Sequence, residues 1–222
     1  MVTNLRTVLF DLDGTLADTA PDMAQALNLL LKENDYEPLP FDTIRPWVSH
    51  GGLALVRLGF GEETGDLELE NLRRRFLEIY AENLCRETRL FPGISQLLAM
   101  LSENGFNWGV VTNKPGYLTE PLVAQLTIQP PPACIVSGDT TTNRKPHPEP
   151  MLLACKQAGS DPHECLYVGD AERDIHAGKQ AGMKTLVALF GYITDSEDPK
   201  TWGADGMIRA PMEVFDWLKQ YA

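Results

Sequence analysis

The chain of 222 residues has little of several things that would narrow its function quickly. Cysteine is scarce: Cys85, Cys134, Cys155 and Cys165 are scattered, with no Cys-x-x-Cys spacing. That argues against a disulfide framework or a thiolate zinc site, and the four read as buried free thiols in a reducing compartment. The histidines, His50, His147, His163 and His176, show no metal-ligand pairing. Positive charge is also short, with 19 Lys and Arg against 31 Asp and Glu and a formal net charge of −12. Nucleic acids and anionic membranes select basic patches, so neither is expected as a partner. No apolar run approaches the roughly 20 residues of a membrane span, and the apolar stretch after Arg6 is too short for a signal peptide. A cytoplasmic location is expected. There is no Gly-x-x-x-x-Gly-Lys-Ser/Thr loop, no Gly-x-Gly-x-x-Gly after a strand, no internal repeat and no low-complexity tract.

What is present is the material of a sizeable core, with 43% hydrophobic residues, arranged in alternating patterns. A strand is expected at about 7–11 and a helix from Asp22 to Glu33, with Met23, Ala26, Leu27, Leu30 and Leu31 on one face. Residues 34–90 show no convincing strand. They read as helical, with a Pro-rich turn, a short helix near 43–48, a break at Gly51 and Gly52, and a long amphipathic helix from Leu67 to Cys85. Beyond Phe91-Pro92-Gly93 helices and strands alternate: helices at 94–104, 117–126, 149–158, 173–181 and 212–220, and strands at 108–111, 133–136, 165–168, 184–189 and 206–208. Alternation implies a parallel sheet covered on both faces. The expected fold is α/β, a doubly wound (Rossmann-like) parallel sheet core with an all-helical cap inserted after the first strand. The core takes residues 1–17 and 89–222 and the cap 18–88, placed to close over a site as a lid.

Four clusters fall at the ends of those strands. The first strand runs into Asp11-Leu12-Asp13-Gly14-Thr15. Side chains alternate along a strand, so Asp11 and Asp13 share one side of the opening while Leu12 turns to the core. Paired carboxylates there suit a nucleophile or metal ligand with an acid or base beside it. The strand at 108–111 ends in Thr112-Asn113-Lys114-Pro115, where a hydroxyl and main-chain N–H groups suit a phosphate oxygen. Lys145 lies in a stretch stiffened by Pro146, Pro148 and Pro150. The strand at 165–168 ends in Gly169-Asp170, with Asp174 one helical turn further on. Each cluster alone has a plain structural reading, as a polar turn, a helix cap, a loop lysine or acids at a helix start. Together they assemble carboxylates, a hydroxyl and a lysine, which suits Mg²⁺ and an anionic substrate. An acidic molecule needs such local positive charge to hold an anion.

On these residues the chain resembles the phosphohydrolases of the haloacid dehalogenase superfamily, whose four signature segments match Asp11 to Thr15, Thr112-Asn113, Lys145-Pro146, and Gly169-Asp170 through Asp174, in that order. The resemblance implies that Asp11 attacks phosphorus and forms an aspartyl-phosphate. It implies that Asp13 protonates the leaving oxygen, then activates water, and offers its main-chain carbonyl to the metal. Thr112, Asn113 and Lys145 would hold phosphoryl oxygens, and Asp11, Asp13, Asp170 and Asp174 would make a Mg²⁺ site. Val111 to Pro115 and Lys145 to Pro150 are similar to bacterial phosphoglycolate phosphatases. Trp108 to Pro115 with Glu120-Pro121, and the tail from Phe190 to Ile193 through Trp202 to Asp205, are more similar still to a related group that includes N-acetylmuramic acid 6-phosphate phosphatases. The implied partner is a small phosphorylated metabolite, and the protein would be a monomer or a homodimer.

Specificity is expected in the cap, where His50-Gly51-Gly52 opens a helix that can approach a ligand closely. Arg45 and Arg57 could bind a carboxylate, although solvated arginines are the plainer expectation. A dehalogenase is disfavoured by the acid at position 13. A phosphosugar mutase would share the four clusters and differ in the cap. A non-catalytic regulatory protein would be expected to lack Asp11, Asp13 or Lys145, and all are present.

Overall fold

Thr7–Phe10 (β1) is buried along its whole length, as a strand flanked by neighbours on both sides and helices on both faces must be. In the computed structural model, which describes residues 5–220, this strand pairs in parallel with Asn107–Val111 (β4) on one side and Cys165–Gly169 (β6) on the other. Cys134–Val136 (β5) extends the sheet beyond β4. Lys184–Ala188 (β7) and Gly206–Ile208 (β8) extend it beyond β6. The order is β5-β4-β1-β6-β7-β8, all parallel. The chain winds outward on one side of β1, then crosses and winds outward on the other. The carboxyl end of β1 is therefore a topological switch point, where a crevice opens between diverging loops. The expected doubly wound core is what forms. Residues 1–4 and 221–222, which the expected core range includes, lie outside the described residues.

The helical layer comes from Ala20–Glu33 (α1), Phe41–Ile44 (α2), a 3₁₀ helix over Arg45–His50, Gly52–Phe60 (α3) and Asp66–Glu82 (α4). The α1 helix starts at Ala20, two residues earlier than expected, with proline in its first turn, and buries Met23, Leu27, Leu30 and Leu31 at helical spacing. The α4 helix packs on α1 and α3 and buries Leu69, Phe76, Ile79 and Tyr80. It ends at Glu82, short of the expected Cys85, which turns with φ of 61° and is only half-buried. Cys134, Cys155 and Cys165 are buried thiols as expected.

One expectation fails. The 34–90 stretch does contain a strand, Arg89–Leu90 (β3), paired antiparallel with Ala17–Asp18 (β2). A two-residue ribbon carries no periodicity, and its partners are separated by the whole helical layer, so no local pattern announces it. The ribbon lies where the chain leaves the sheet and where it returns. The return continues through Ile94–Glu103 (α5), Gly116–Gln125 (α6), Glu149–Ala158 (α7), Glu172–Ala181 (α8) and Glu213–Leu218 (α9). No helix among the described residues is long and apolar enough to cross a membrane.

Candidate active site

The chain leaves β1 at Asp11, whose amide donates to Val168 of β6 at 2.9 Å. Its carboxylate is buried at 3% exposure. Oδ1 accepts from the Leu12 amide at 2.8 Å and faces the Lys145 ammonium at 3.0 Å. No described residue donates a hydrogen bond to Oδ2. The turn is made by Gly14, at φ of 82°, where a Cβ would collide with the Asp170 carboxylate, so only glycine lets the two loops touch.

Asp170 and Asp174 arrive from the β6–α8 junction. Asp170 accepts from Thr15 Oγ1 at 3.2 Å, the Tyr192 amide at 2.8 Å and Ser49 Oγ at 2.7 Å. Asp174 caps α8 by accepting from the Ala171 amide at 3.0 Å through Oδ2. Its Oδ1 lies 2.8 Å from the Lys145 ammonium, an ion pair outside hydrogen-bond geometry, so this buried oxygen has no donor. Carboxylate oxygens of Asp11, Asp170 and Asp174 lie within 4.8 Å of one another.

Three buried carboxylates so close are electrostatically costly. Burial, only partly offset by Lys145, pushes the Asp11 carboxyl up to about 6, with Asp174 adding to the rise. Burial, then Asp11 and Asp174, push Asp170 up to about 7. A divalent cation would relieve this repulsion and give the orphaned Asp174 oxygen a partner, and hard carboxylate oxygens are the donors Mg²⁺ prefers. The residues present therefore fit such an ion.

Lys145 is held from all sides. Its ammonium donates to the Val111 carbonyl at 2.9 Å and to Tyr167 Oη at 2.8 Å. The Tyr167 phenol, kept neutral chiefly by burial and then by Asp174 and Asp11, donates on to the same carbonyl at 2.7 Å. Asn113, expected at the phosphate, lines the cavity that Asp11, Asp13 and Thr112 also line, with its side chain engaged on Lys145. Its amide group donates to the Lys145 carbonyl at 2.9 Å and accepts from the Lys145 amide at 3.0 Å. Thr112 is buried, with Oγ1 accepting from the Lys114 amide at 3.1 Å and its proton left for a ligand.

The remaining expected residues also reach the site. Asp13 lines a cavity shared with Asp11 and Thr112, with Oδ1 accepting from Thr19 Oγ1 at 2.6 Å and Lys114 Nζ at 2.8 Å. Its carboxylate stands outside the three-carboxylate cluster. His50 and Gly51 line the cavity from the helical layer. His50 Nε2 is 3.7 Å from Glu197 Oε1. Arg45 departs from the expectation of a solvated arginine. It lies 4.8 Å over the Tyr192 ring and donates to the carbonyls of Gly191 at 3.3 Å and Phe190 at 3.4 Å, bracketing the layer to the core. Arg57 pairs with Glu62 at 3.6 Å and does not line the cavity.

Several residues escaped the sequence reading. Arg173 lines the cavity; burial opposes its charge, yet Asp174, Asp11 and Asp170 hold it protonated. It stands beside Asp174 in sequence, and that adjacency was the only signal. Ser49 stands beside His50 in the same way. Tyr167, Tyr192 and Tyr80 look like ordinary core aromatics. Tyr192 is more than that, donating through its hydroxyl to Asp18 at 2.6 Å and accepting from the Ala20 amide at 3.0 Å.

The sequence profile of the haloacid dehalogenase-like hydrolases matches residues 8–188. A Pseudomonas aeruginosa protein named N-acetylmuramic acid 6-phosphate phosphatase is 41% identical over 214 residues, 96% of this chain and 95% of that one. A Xanthomonas campestris protein named phosphoglycolate phosphatase is 40% identical over 211 residues, covering 95% of each chain. Among solved structures, a predicted phosphoglycolate phosphatase from Haemophilus somnus superposes with a TM-score of 0.85 at 27% identity, covering 97% of this chain and 98% of that one.

Proposed function

The chain belongs to the haloacid dehalogenase-like hydrolases and is a phosphoric monoester hydrolase, and from that premise we propose that it works with Mg²⁺ through an aspartyl-phosphate on Asp11 and that its substrate is N-acetylmuramic acid 6-phosphate. The observation that carries the chemistry is the state of Asp11. One carboxylate oxygen is tied by Leu12 and Lys145. The other is free at a cavity that Asp13, Thr112 and Arg173 share.

Asp11 Oδ2 attacks phosphorus in line. The bond from phosphorus to the ester oxygen breaks, and that oxygen takes the proton from Asp13. A water then gives its proton to Asp13 and attacks the same phosphorus, and the bond to Asp11 breaks to release inorganic phosphate. Lys145, Arg173 and the Thr112 hydroxyl bind the transferring oxygens, which is where phosphoryl transfer needs positive charge and donors. Asp11, Asp170, Asp174 and the Asp13 carbonyl would hold Mg²⁺, which when bound neutralises charge on the phosphoryl group.

Size and charge support the sugar phosphate. The cavity is about 390 Å³, a volume suited to a ligand larger than phosphoglycolate. Arg144 adds positive charge around it, Arg73 stands on the same wall paired with Glu70 at 2.6 Å, and Met23, Val48 and Leu77 add apolar wall. A sugar bearing both a carboxylate and an acetyl group would use both. The same carboxylate preference would admit phosphoglycolate, the substrate in the names of other relatives. The test is phosphate release from N-acetylmuramic acid 6-phosphate, phosphoglycolate, hexose phosphates and nucleotides. A kcat/KM for the muramic ester at least tenfold above all others is expected. A preference for phosphoglycolate would reassign the substrate, and isomer formation without phosphate release would make the protein a mutase.

The β2–β3 ribbon supports residues 18–88 as a cap on a core of 1–17 and 89–222, because β2 spans the first junction and β3 begins at the second. The free thiols fit a cytoplasmic setting.

A further inference from the structure

Lys114 is absent from the roles assigned so far, yet it is a buried ammonium on the wall of the reaction cavity. Its side chain is 5% exposed. Its backbone is fixed: the carbonyl accepts from the Gly138 amide at 2.9 Å and from Thr119 Oγ1 at 3.1 Å. The ammonium lies 2.8 Å from Asp13 Oδ1, the oxygen that also accepts from Thr19 at 2.6 Å. Oδ2 of Asp13 receives no hydrogen bond from any described residue. Burial by itself would favour the neutral amine, but Asp13 and Tyr80 together outweigh it and raise the Lys114 pKa.

The fourth wall of this arrangement comes from the helical layer. Tyr80 of α4 is fully buried and lies with its ring centroid 4.6 Å from the Lys114 ammonium, a cation–π distance. Its hydroxyl has no hydrogen-bond partner among the described residues; the ammonium is near it but outside hydrogen-bond geometry. Asp13 and Thr19 sit where the chain leaves the sheet, Lys114 follows β4, and Tyr80 belongs to α4. Lys114 thus reaches the Asp13 oxygen from a separate segment, and a third segment packs on that lysine.

We propose that Lys114 is the positioning residue for Asp13, and that the Tyr80 ring completes the clamp from the helical layer. Lys114 and Thr19 occupy Oδ1, so the transferable proton resides on Oδ2, turned to the leaving-group oxygen. A carboxyl group free to rotate would present its proton to the substrate only part of the time, and proton transfer demands hydrogen-bond reach. The inference rests on Asp13 being the acid and base.

The test uses leaving-group dependence. An alkyl phosphate needs its leaving oxygen protonated, whereas p-nitrophenolate departs without help. The ratio of kcat/KM for a sugar 6-phosphate to that for p-nitrophenyl phosphate is measured in wild type, Asp13→Asn, Lys114→Met, Lys114→Gln, Tyr80→Phe and Tyr80→Leu. For Asp13→Asn the ratio should fall by about 10²–10⁴-fold, the usual worth of general acid catalysis. For Lys114→Met it should fall by about tenfold or more, and Lys114→Gln, which retains a donor for Oδ1, should lie between Met and wild type. Tyr80→Phe, which keeps the ring, should leave the ratio unchanged, and Tyr80→Leu should lower it. An unchanged ratio in both Lys114 variants, or equal losses on both esters, would overturn the proposal. An unchanged ratio in Asp13→Asn would instead remove the acid role of Asp13 itself.

Discussion

At the scale of single residues, the site is a set of atoms whose partners leave particular lone pairs free. Asp11 has one oxygen tied and one open, and Asp13 repeats the pattern. Replacing Asp11 by Asn should lower kcat by at least about 10⁴-fold, as loss of a covalent nucleophile does. The same change removes a buried carboxyl whose pKa stands near 6, above its unfolded value of 3.8. A raised carboxyl pKa favours the folded state at low pH and costs stability as pH rises through it. Without metal at pH 8, Asp11→Asn should therefore unfold at a temperature no lower than wild type. A lower midpoint would mean that the carboxylate supports the fold. The Asn113 side-chain amide is spent on the Lys145 backbone, which leaves its main-chain N–H for the phosphate contact expected of it.

At the scale of elements, α1 and the returning chain are joined by one acid. Asp22, in the first turn of α1, is fully buried and accepts from the Glu87 amide at 2.8 Å, the Thr88 amide at 3.0 Å and Thr88 Oγ1 at 2.7 Å. The sequence shows Asp22 only as an ordinary acid at a helix N-terminus. Its partners lie 65 and 66 positions away. Asp22→Ala would strand three donors, and a buried unsatisfied group costs about 1–3 kcal/mol. A loss of about 3 kcal/mol is expected in urea denaturation with little change in m-value. A loss below about 1 kcal/mol would mean that water replaces the carboxylate and the junction is looser than described.

At the scale of the molecule, the sheet gathers negative charge at one edge, which the proposed Mg²⁺ would hold there. Asp11 and Asp170 stand near 6 and 7, against 3.8 unfolded. Well below pH 3.8 both are neutral in either state. Between about 4 and 7 the unfolded chain gives up these protons while the fold retains them, so the metal-free protein loses stability as pH rises. Mg²⁺ binds the ionised form, so it should raise Tm more at pH 8 than at pH 5 in differential scanning fluorimetry. EDTA should abolish activity, and Mg²⁺ should restore it. An equal Tm shift at both pH values, or none, would contradict the assignment of these carboxylates to a cation.

The sequence by itself determined the alternation of strands and helices, the helical layer after β1, and the candidate residues Asp11, Asp13, Thr112 and Asp170 at strand ends with Lys145 in the proline-stiffened loop beyond β5. Strands and helices are encoded by short-range periodicity, and the strand-end residues by a polar side chain just past an apolar run; the parallel crossover then brings those ends to one edge. Tertiary structure alone decided how the atoms are shared. It paired β2 with β3, turned Arg45 into a bracket, gave the Asn113 amide to Lys145, and set Lys114 on Asp13 from 101 positions away. Those choices depend on which distant segments exclude water from one another, and no local pattern carries that information.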